Sequence, residues 1–224
     1  MTKLAEWYYT SESFPARRLR SMRRGLRVIK KNFVALNFVQ RRRFKRNLVR
    51  LHDALAQTDF AHKYWVIDGL LLGWARTGQI IPWDTDDADF AYLGEDRSAF
   101  AQARAKLSEA GFSLSSDWRN NAGEITATVF TRDGIRFDFF EMQPQGNQLL
   151  YTLYGRRNGI WQELKCAVPR HGLADMPFLD RIWQKPDDHD IFLRAVYGEW
   201  RKSDPGYDYA SDEKNVVGVT PRKL

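Results

Sequence analysis

An α+β fold is what the sequence predicts, because segments of helical and of strand periodicity follow one another along a single chain of 224 residues. Three observations carry this reading. Apolar residues recur at helical spacing around 44–55, short apolar runs at 64–67, 87–92, 125–131 and 135–142 have strand length, and Thr77-Gly78, Gly111 and Arg132-Asp133-Gly134 punctuate the chain between them.

Taken in order, Leu19, Met22, Leu26 and Ile29 recur near helical spacing, as do Phe44, Leu48, Leu51 and Leu55, which predicts two basic amphipathic helices. The second is expected to pack on the domain. A strand at 64–67 leads into a helix that starts at Gly69, runs through about Arg76 and breaks at Thr77-Gly78. Residues 87–92 form the next strand and 97–110 the next helix, ended by Gly111. The strands at 125–131 and 135–142 form a hairpin because Asp133-Gly134 suits a tight turn, and this places Asp138 on a strand between Phe137 and Phe139. A strand at 148–154 and a short helix near 188–197 follow in a less regular C-terminal third. The expected organisation is a basic helical extension over 1–43, a catalytic domain over 44–210 and a tail over 211–224.

With 43% hydrophobic and 14% aromatic residues, the chain can bury a sizeable core. No run approaches the roughly 20 apolar residues that a spanning helix needs, and the N-terminus lacks the order of a secretion signal, so a cytoplasmic location is expected. The lone Cys166 excludes an internal disulfide, and four histidines without ligand spacing argue against zinc. The net charge of +7 conceals a split: residues 1–52 hold 15 basic and 2 acidic residues, +13, whereas residues 53–224 hold 20 and 26, −6. Such a basic segment suits an anionic inner-membrane surface, an acidic glycan or another subunit. Nucleic acid fits less well, because the body is acidic and carries no nucleic-acid motif.

Four aspartates lie within six positions, at Asp84, Asp86, Asp87 and Asp89. On a strand, residues i and i+2 share a face about 6.5 to 7 Å apart, so Asp87 and Asp89 converge while Ala88, Phe90 and Tyr92 face the core. Asp138 on a neighbouring strand adds a third carboxylate. Three close anions raise one another's pKa unless a cation joins them, and the oxygen set suits hard Mg²⁺, which keeps waters and takes phosphate oxygens as remaining ligands. Gly69 and Gly73 fit a helix start that presents backbone N–H groups to an anion, and Arg76, one turn on, suits a phosphate. Asp84 and Asp86 also suit a turn through local side-chain hydrogen bonds, and they read as the shoulder that positions the pair. Trp83, like Trp65 and Trp74, reads as a core or wall residue.

The order of these residues resembles the LicD and fukutin family. Gly69-Leu70-Leu71-Leu72-Gly73, Arg76, Ile81-Pro82-Trp83-Asp84 and Asp86-Asp87-Ala88-Asp89 follow that family's G-T-L-L-G, R, I-P-W-D and D-D-x-D. Asp138 in Arg136-Phe137-Asp138-Phe139-Phe140 matches its later strand aspartate, and Tyr197-Gly198-Glu199-Trp200 followed by Pro205 matches its Y-G-x-W motif. The resemblance covers roughly 45–205 and leaves the basic extension unexplained. Leu70 departs from the pattern, standing where the family has Thr and removing a hydroxyl.

The resemblance implies a nucleotidyltransferase-like mixed sheet flanked by helices. It implies transfer of a phospho-alcohol, phosphocholine or ribitol phosphate, from a CDP-activated donor to a glycan or lipid-linked saccharide, in modification of lipopolysaccharide, capsule or a related glycan. Asp87, Asp89 and Asp138 would be the catalytic and Mg²⁺-holding residues, with two ions expected and Mn²⁺ as a substitute. Gly69, Gly73, Arg76 and Trp83 would line the donor. Two rival readings stay open: a nucleotidyltransferase that moves a nucleoside monophosphate to a small molecule, protein or RNA, and a basic membrane or nucleic-acid adaptor without catalysis.

Overall fold

The computed structural model describes residues 34–157, 160–204 and 207–222. The helix expected around Leu19 to Ile29, and with it most of the basic extension, lies outside the described residues. Helix α1 (Val34–Leu55) runs without a break through the 43/44 position. Phe44, Leu48, Leu51 and Leu55 are buried on it, the spacing that gives one apolar stripe at 3.6 residues per turn.

Strand β1 (Tyr64–Val66) is antiparallel to β2 (Asp87–Leu93), and helix α2 (Asp68–Thr77) lies between them in sequence. Gly78 ends α2 in the left-handed region, φ 68°, its N–H donating to the Trp74 carbonyl, which is the glycine stop that the sequence announces. A short 3-10 turn (Gly94–Asp96) precedes helix α3 (Arg97–Glu109). Strands β3 (Ser113–Arg119), β4 (Ile125–Arg132), β5 (Ile135–Gln145), β6 (Gln148–Arg157) and β7 (Ile160–Pro169) follow. The β4–β5 turn places both Asp133 and Gly134 at positive φ, 52° and 77°, as a tight hairpin requires. A separate hairpin of β8 (Leu173–Phe178) and β9 (Arg181–Pro186), helix α4 (His189–Tyr197), a one-turn helix α5 (Tyr209–Asp212) and strand β10 (Val216–Pro221) complete the chain.

The main sheet is mixed. Its path is β1-β2-β5-β6-β7-β10, with β4 also on β5 and β3 on β4; β2 and β5 are parallel and the other pairs antiparallel. The α+β class with a mixed sheet and flanking helices is therefore the observed fold. Four strands escape the periodicity reading for physical reasons. Strand β3 is an exposed edge of mostly polar residues, β8 and β9 each contain a proline, and β10 carries Gly218 and lies mostly exposed. Strand β7 also went unpredicted, and β10, inside the 211–224 stretch, pairs with it.

The parallel pair β2 and β5 organises the core. Phe90 stacks on Phe139 with ring centroids 5.1 Å apart, Phe100 of α3 lies 5.0 Å from Phe139, and Trp183 of β9 stacks on Phe90 at 5.9 Å. Each such aromatic pair adds about 0.5 to 1.5 kcal/mol beyond area burial. Because side chains alternate, a β2–β5 face filled by aromatics leaves Asp87, Asp89, Arg136 and Asp138 together on the opposite one.

Candidate active site

Six aspartates, Asp68, Asp84, Asp86, Asp87, Asp89 and Asp138, come from the start of α2, the loop before β2, β2 itself and β5. Asp89 of β2 and Asp138 of β5 are register partners, as are Asp87 and Arg136, so four charged residues form a square on one face of a parallel pair. The loop before β2 turns at Pro82-Trp83, where the Asp84 N–H donates to the Ile81 carbonyl at 3.1 Å. It brings one oxygen each of Asp84, Asp86 and Asp87 within 4.8 Å of one another. Turn chemistry makes Asp84 and Asp86 a shoulder to the strand pair, whereas the structure groups them with Asp87. Local turn chemistry alone does not reveal where a loop carboxylate points.

Asp68 is the residue that the sequence reading missed. It opens α2 at φ 49°, an uncommon conformation for a residue with a side chain, directly after the Ile67 N–H donates to the Asp89 carbonyl. One carboxyl oxygen of Asp68 is buried without a hydrogen-bond partner. Burial, then the nearby Asp87, pushes the Asp68 carboxyl up to about 7. The available signal was an acidic residue immediately before Gly69, at the junction of strand and helix.

Gly69 and Gly73 fix the loop by close approach. A Cβ on Gly69 would stand 2.1 Å from Asp84 Oδ2, so the bare glycine is what admits that carboxylate. A Cβ on Gly73 would stand 2.6 Å from the Gln79 carbonyl oxygen and 3.0 Å from the Ile81 nitrogen, so this glycine seats the start of the loop on α2. On the other side, Gln40 of α1 donates to the Thr85 carbonyl at 3.0 Å.

Arg76 is held by backbone carbonyls of the C-terminal segment. Its Nε donates to the Trp200 carbonyl at 2.7 Å, and its Nη2 donates to the same carbonyl and, at 2.9 Å, to that of Lys202. The two family motifs quoted above, Arg76 and Tyr197-Gly198-Glu199-Trp200, are thus joined in space. Trp83 is 55% exposed at the tip of the loop and is not a core residue.

Charge within the site is unbalanced. Burial raises Asp89 well above the usual carboxylate range, with Asp87, Asp68, Asp138 and Asp84 adding to it in that order. Burial raises Asp138 to about 7; Arg136 opposes this, and Asp87 reinforces it. The hydroxyl of Tyr197, also raised by burial, feels Asp68 and Asp89. Asp138 is 5% exposed; Arg136 Nη2 donates to its Oδ2, and its Oδ1 is buried without a hydrogen-bond partner. Three carboxylate oxygens within 4.8 Å, together with orphaned buried oxygens on Asp68 and Asp138, are a donor set that fits a hard, oxygen-liganded divalent cation.

Residues 61–180, more than half of the chain, match the family model described as "LicD/FKTN/FKRP, nucleotidyltransferase domain". The chain belongs to the LicD family. Within it, the Ribitol 5-phosphate transferase FKRP of Homo sapiens is 32% identical over 159 residues and that of Mus musculus 31% over 158 residues. Each of these matches covers 65% of this chain but 29% of the relative. The Uncharacterized protein RP689 of Rickettsia prowazekii is 29% identical over 151 residues, 67% of this chain and 52% of that protein. The LicD-family match includes Asp68, the whole aspartate loop, Arg136 and Asp138. Helix α1, Tyr197 and Trp200 lie outside it. No helix among the described residues is long and apolar enough to cross a membrane.

Proposed function

We propose that the chain is a cation-dependent transferase that moves a phospho-alcohol from a CDP-activated donor to a hydroxyl of a glycan or lipid-linked saccharide. The observation that carries this reading is the in-register pair Asp89 and Asp138 beside Asp87, within the LicD domain. The mammalian relatives named ribitol 5-phosphate transferases support the class of reaction.

Asp87, Asp89 and Asp138 would hold Mg²⁺, in two ions or with Mn²⁺ in its place, and Asp84 and Asp86 lie close enough to share in the coordination. When bound, such ions supply electrostatic stabilisation of charge on the phosphoryl oxygens. The acceptor hydroxyl attacks the β-phosphorus of the donor: the new oxygen–phosphorus bond forms, the bond to CMP breaks, and the hydroxyl proton passes to a carboxylate, which we assign to Asp89. The first turn of α2 at Gly69 offers backbone N–H groups to the donor phosphates, and exposed Trp83 forms the outer wall. Membrane-surface association through the basic extension belongs to the same proposal and predicts salt-sensitive binding to anionic vesicles.

A screen of purified protein with CDP-choline, CDP-ribitol and CDP-glycerol, each with several bacterial-type glycans and Mg²⁺, tests this reading by CMP release. Transfer of a nucleoside monophosphate into the acceptor, without CMP release, would establish the nucleotidyltransferase alternative instead.

A further inference from the structure

Arg76, the cation that the sequence assigned to the donor phosphates, donates to the Trp200 and Lys202 carbonyls. The structure offers another. Arg136 lies two positions before Asp138 on β5 and is the register partner of Asp87 on β2, so its side chain emerges on the aspartate face. Its backbone N–H donates to the Asp86 carbonyl at 2.9 Å, which pins the base of the side chain to the aspartate loop.

The geometry of this ion pair is one-sided. Arg136 Nη2 donates to Asp138 Oδ2, yet the arginine side chain is 43% exposed and the aspartate side chain 8%. A solvent-reaching guanidinium therefore covers a buried carboxylate. A divalent cation on that carboxylate would meet the guanidinium as a like charge, and the two cannot share one oxygen comfortably. The arginine stem is long, and its Cα stays fixed about 6.5 to 7 Å from that of Asp138. The planar guanidinium has the fork that matches two phosphate oxygens.

We propose that Arg136 is a displaceable counter-charge: it occupies Asp138 until a divalent cation takes its place, and then pairs with the diphosphate of the donor. This assignment rests on the cation-dependent transfer reading above. No covalent step is involved: the contact of Arg136 with Asp138 gives way to a cation on that carboxyl and a pair between Arg136 and phosphate.

The test uses the full chain, with Mn²⁺ and CDP as probes in calorimetric titrations, and thermal unfolding to confirm that each variant is folded. Arg136→Gln is expected to bind Mn²⁺ about threefold or more tighter than the natural chain, because a competitor for Asp138 is gone. It is also expected to bind CDP in the presence of Mn²⁺ about tenfold more weakly, the loss of one charge-assisted contact. Arg136→Lys keeps a charge over Asp138, which protects folding, and is expected to lose about threefold in CDP affinity because ammonium lacks the fork. A purely structural role would weaken both ligands together. Unchanged or weaker Mn²⁺ binding by Arg136→Gln, or unchanged CDP binding by either variant, overturns the proposal. If the natural chain itself binds neither Mn²⁺ nor CDP, the transferase reading falls first and this assignment with it.

Discussion

Asp89 and Asp138 are register partners on adjacent parallel strands, one from β2 and one from β5, although 49 residues separate them in sequence. Parallel pairing requires a long crossover, supplied here by α3 and the β3–β4 hairpin. In-register parallel neighbours point the same way, so the pairing delivers two carboxylates to one spot on rigid elements. Those elements are anchored from behind by the Phe90 and Phe139 stack.

The two glycines of α2 should separate binding from folding. Gly69→Ala places a methyl where Asp84 Oδ2 sits, and so should displace that carboxylate, weakening divalent-cation binding about tenfold with a stability loss near 1 kcal/mol. Gly73→Ala meets backbone atoms of Gln79 and Ile81 and should cost about 1 to 3 kcal/mol of stability. Denaturant unfolding and calorimetry on the same samples would show whether the two effects divide in this way.

Stability should fall with rising pH in the absence of a divalent cation. Asp68 and Asp138 hold protons up to about pH 7 in the folded chain but only to 3.8 when unfolded, so the folded state binds more protons between those limits. Their contribution is complete below pH 4 and is lost as pH climbs through 7. Asp53 and Asp133, lowered by Arg181 and by Asn47 with Arg46 respectively, act only at more acidic pH. Thermal melts in chelator from pH 5 to 8 should therefore decline, and the gain on adding Mg²⁺ should grow over the same range because cations bind the ionised carboxylates. A gain independent of pH would contradict this.

Glu141 supplies a test away from the site. Its buried carboxylate accepts hydrogen bonds from Arg97 Nε at 2.7 Å and Nη2 at 2.5 Å, from the Tyr92 hydroxyl at 3.2 Å and from Gln143 Nε2 at 2.6 Å. Arg97 is more than half exposed, which moderates the cost of removing it. Arg97→Ala should destabilise the chain by about 2 kcal/mol, the scale of hydrogen bonds to a charged group, while Mn²⁺ and CDP affinities stay unchanged.

Much of this site was legible because local chemistry and global fold agree there. Asp87-Ala88-Asp89 alternates as a strand must, Asp133-Gly134 demands a turn, and that turn sets Asp138 on a strand. Asp68 was not legible, since nothing in spacing says that a residue at a strand-to-helix junction will bury its carboxyl at φ 49°. Nor was the destination of Arg76, which depends on a C-terminal segment more than 120 residues away. The exposed and proline-bearing strands β3, β8 and β9 carry too little apolar alternation to be read at all.

The central claim is that Asp89 and Asp138 act together in cation-dependent phospho-alcohol transfer. The most direct measurement is Mg²⁺-dependent CMP release by the natural chain, Asp89→Asn and Asp138→Ala, with the donor and acceptor pair that the screen identifies. Losses of about a hundredfold or more in each variant, with folding retained, are the predicted result. Wild-type CMP release by either variant would contradict it.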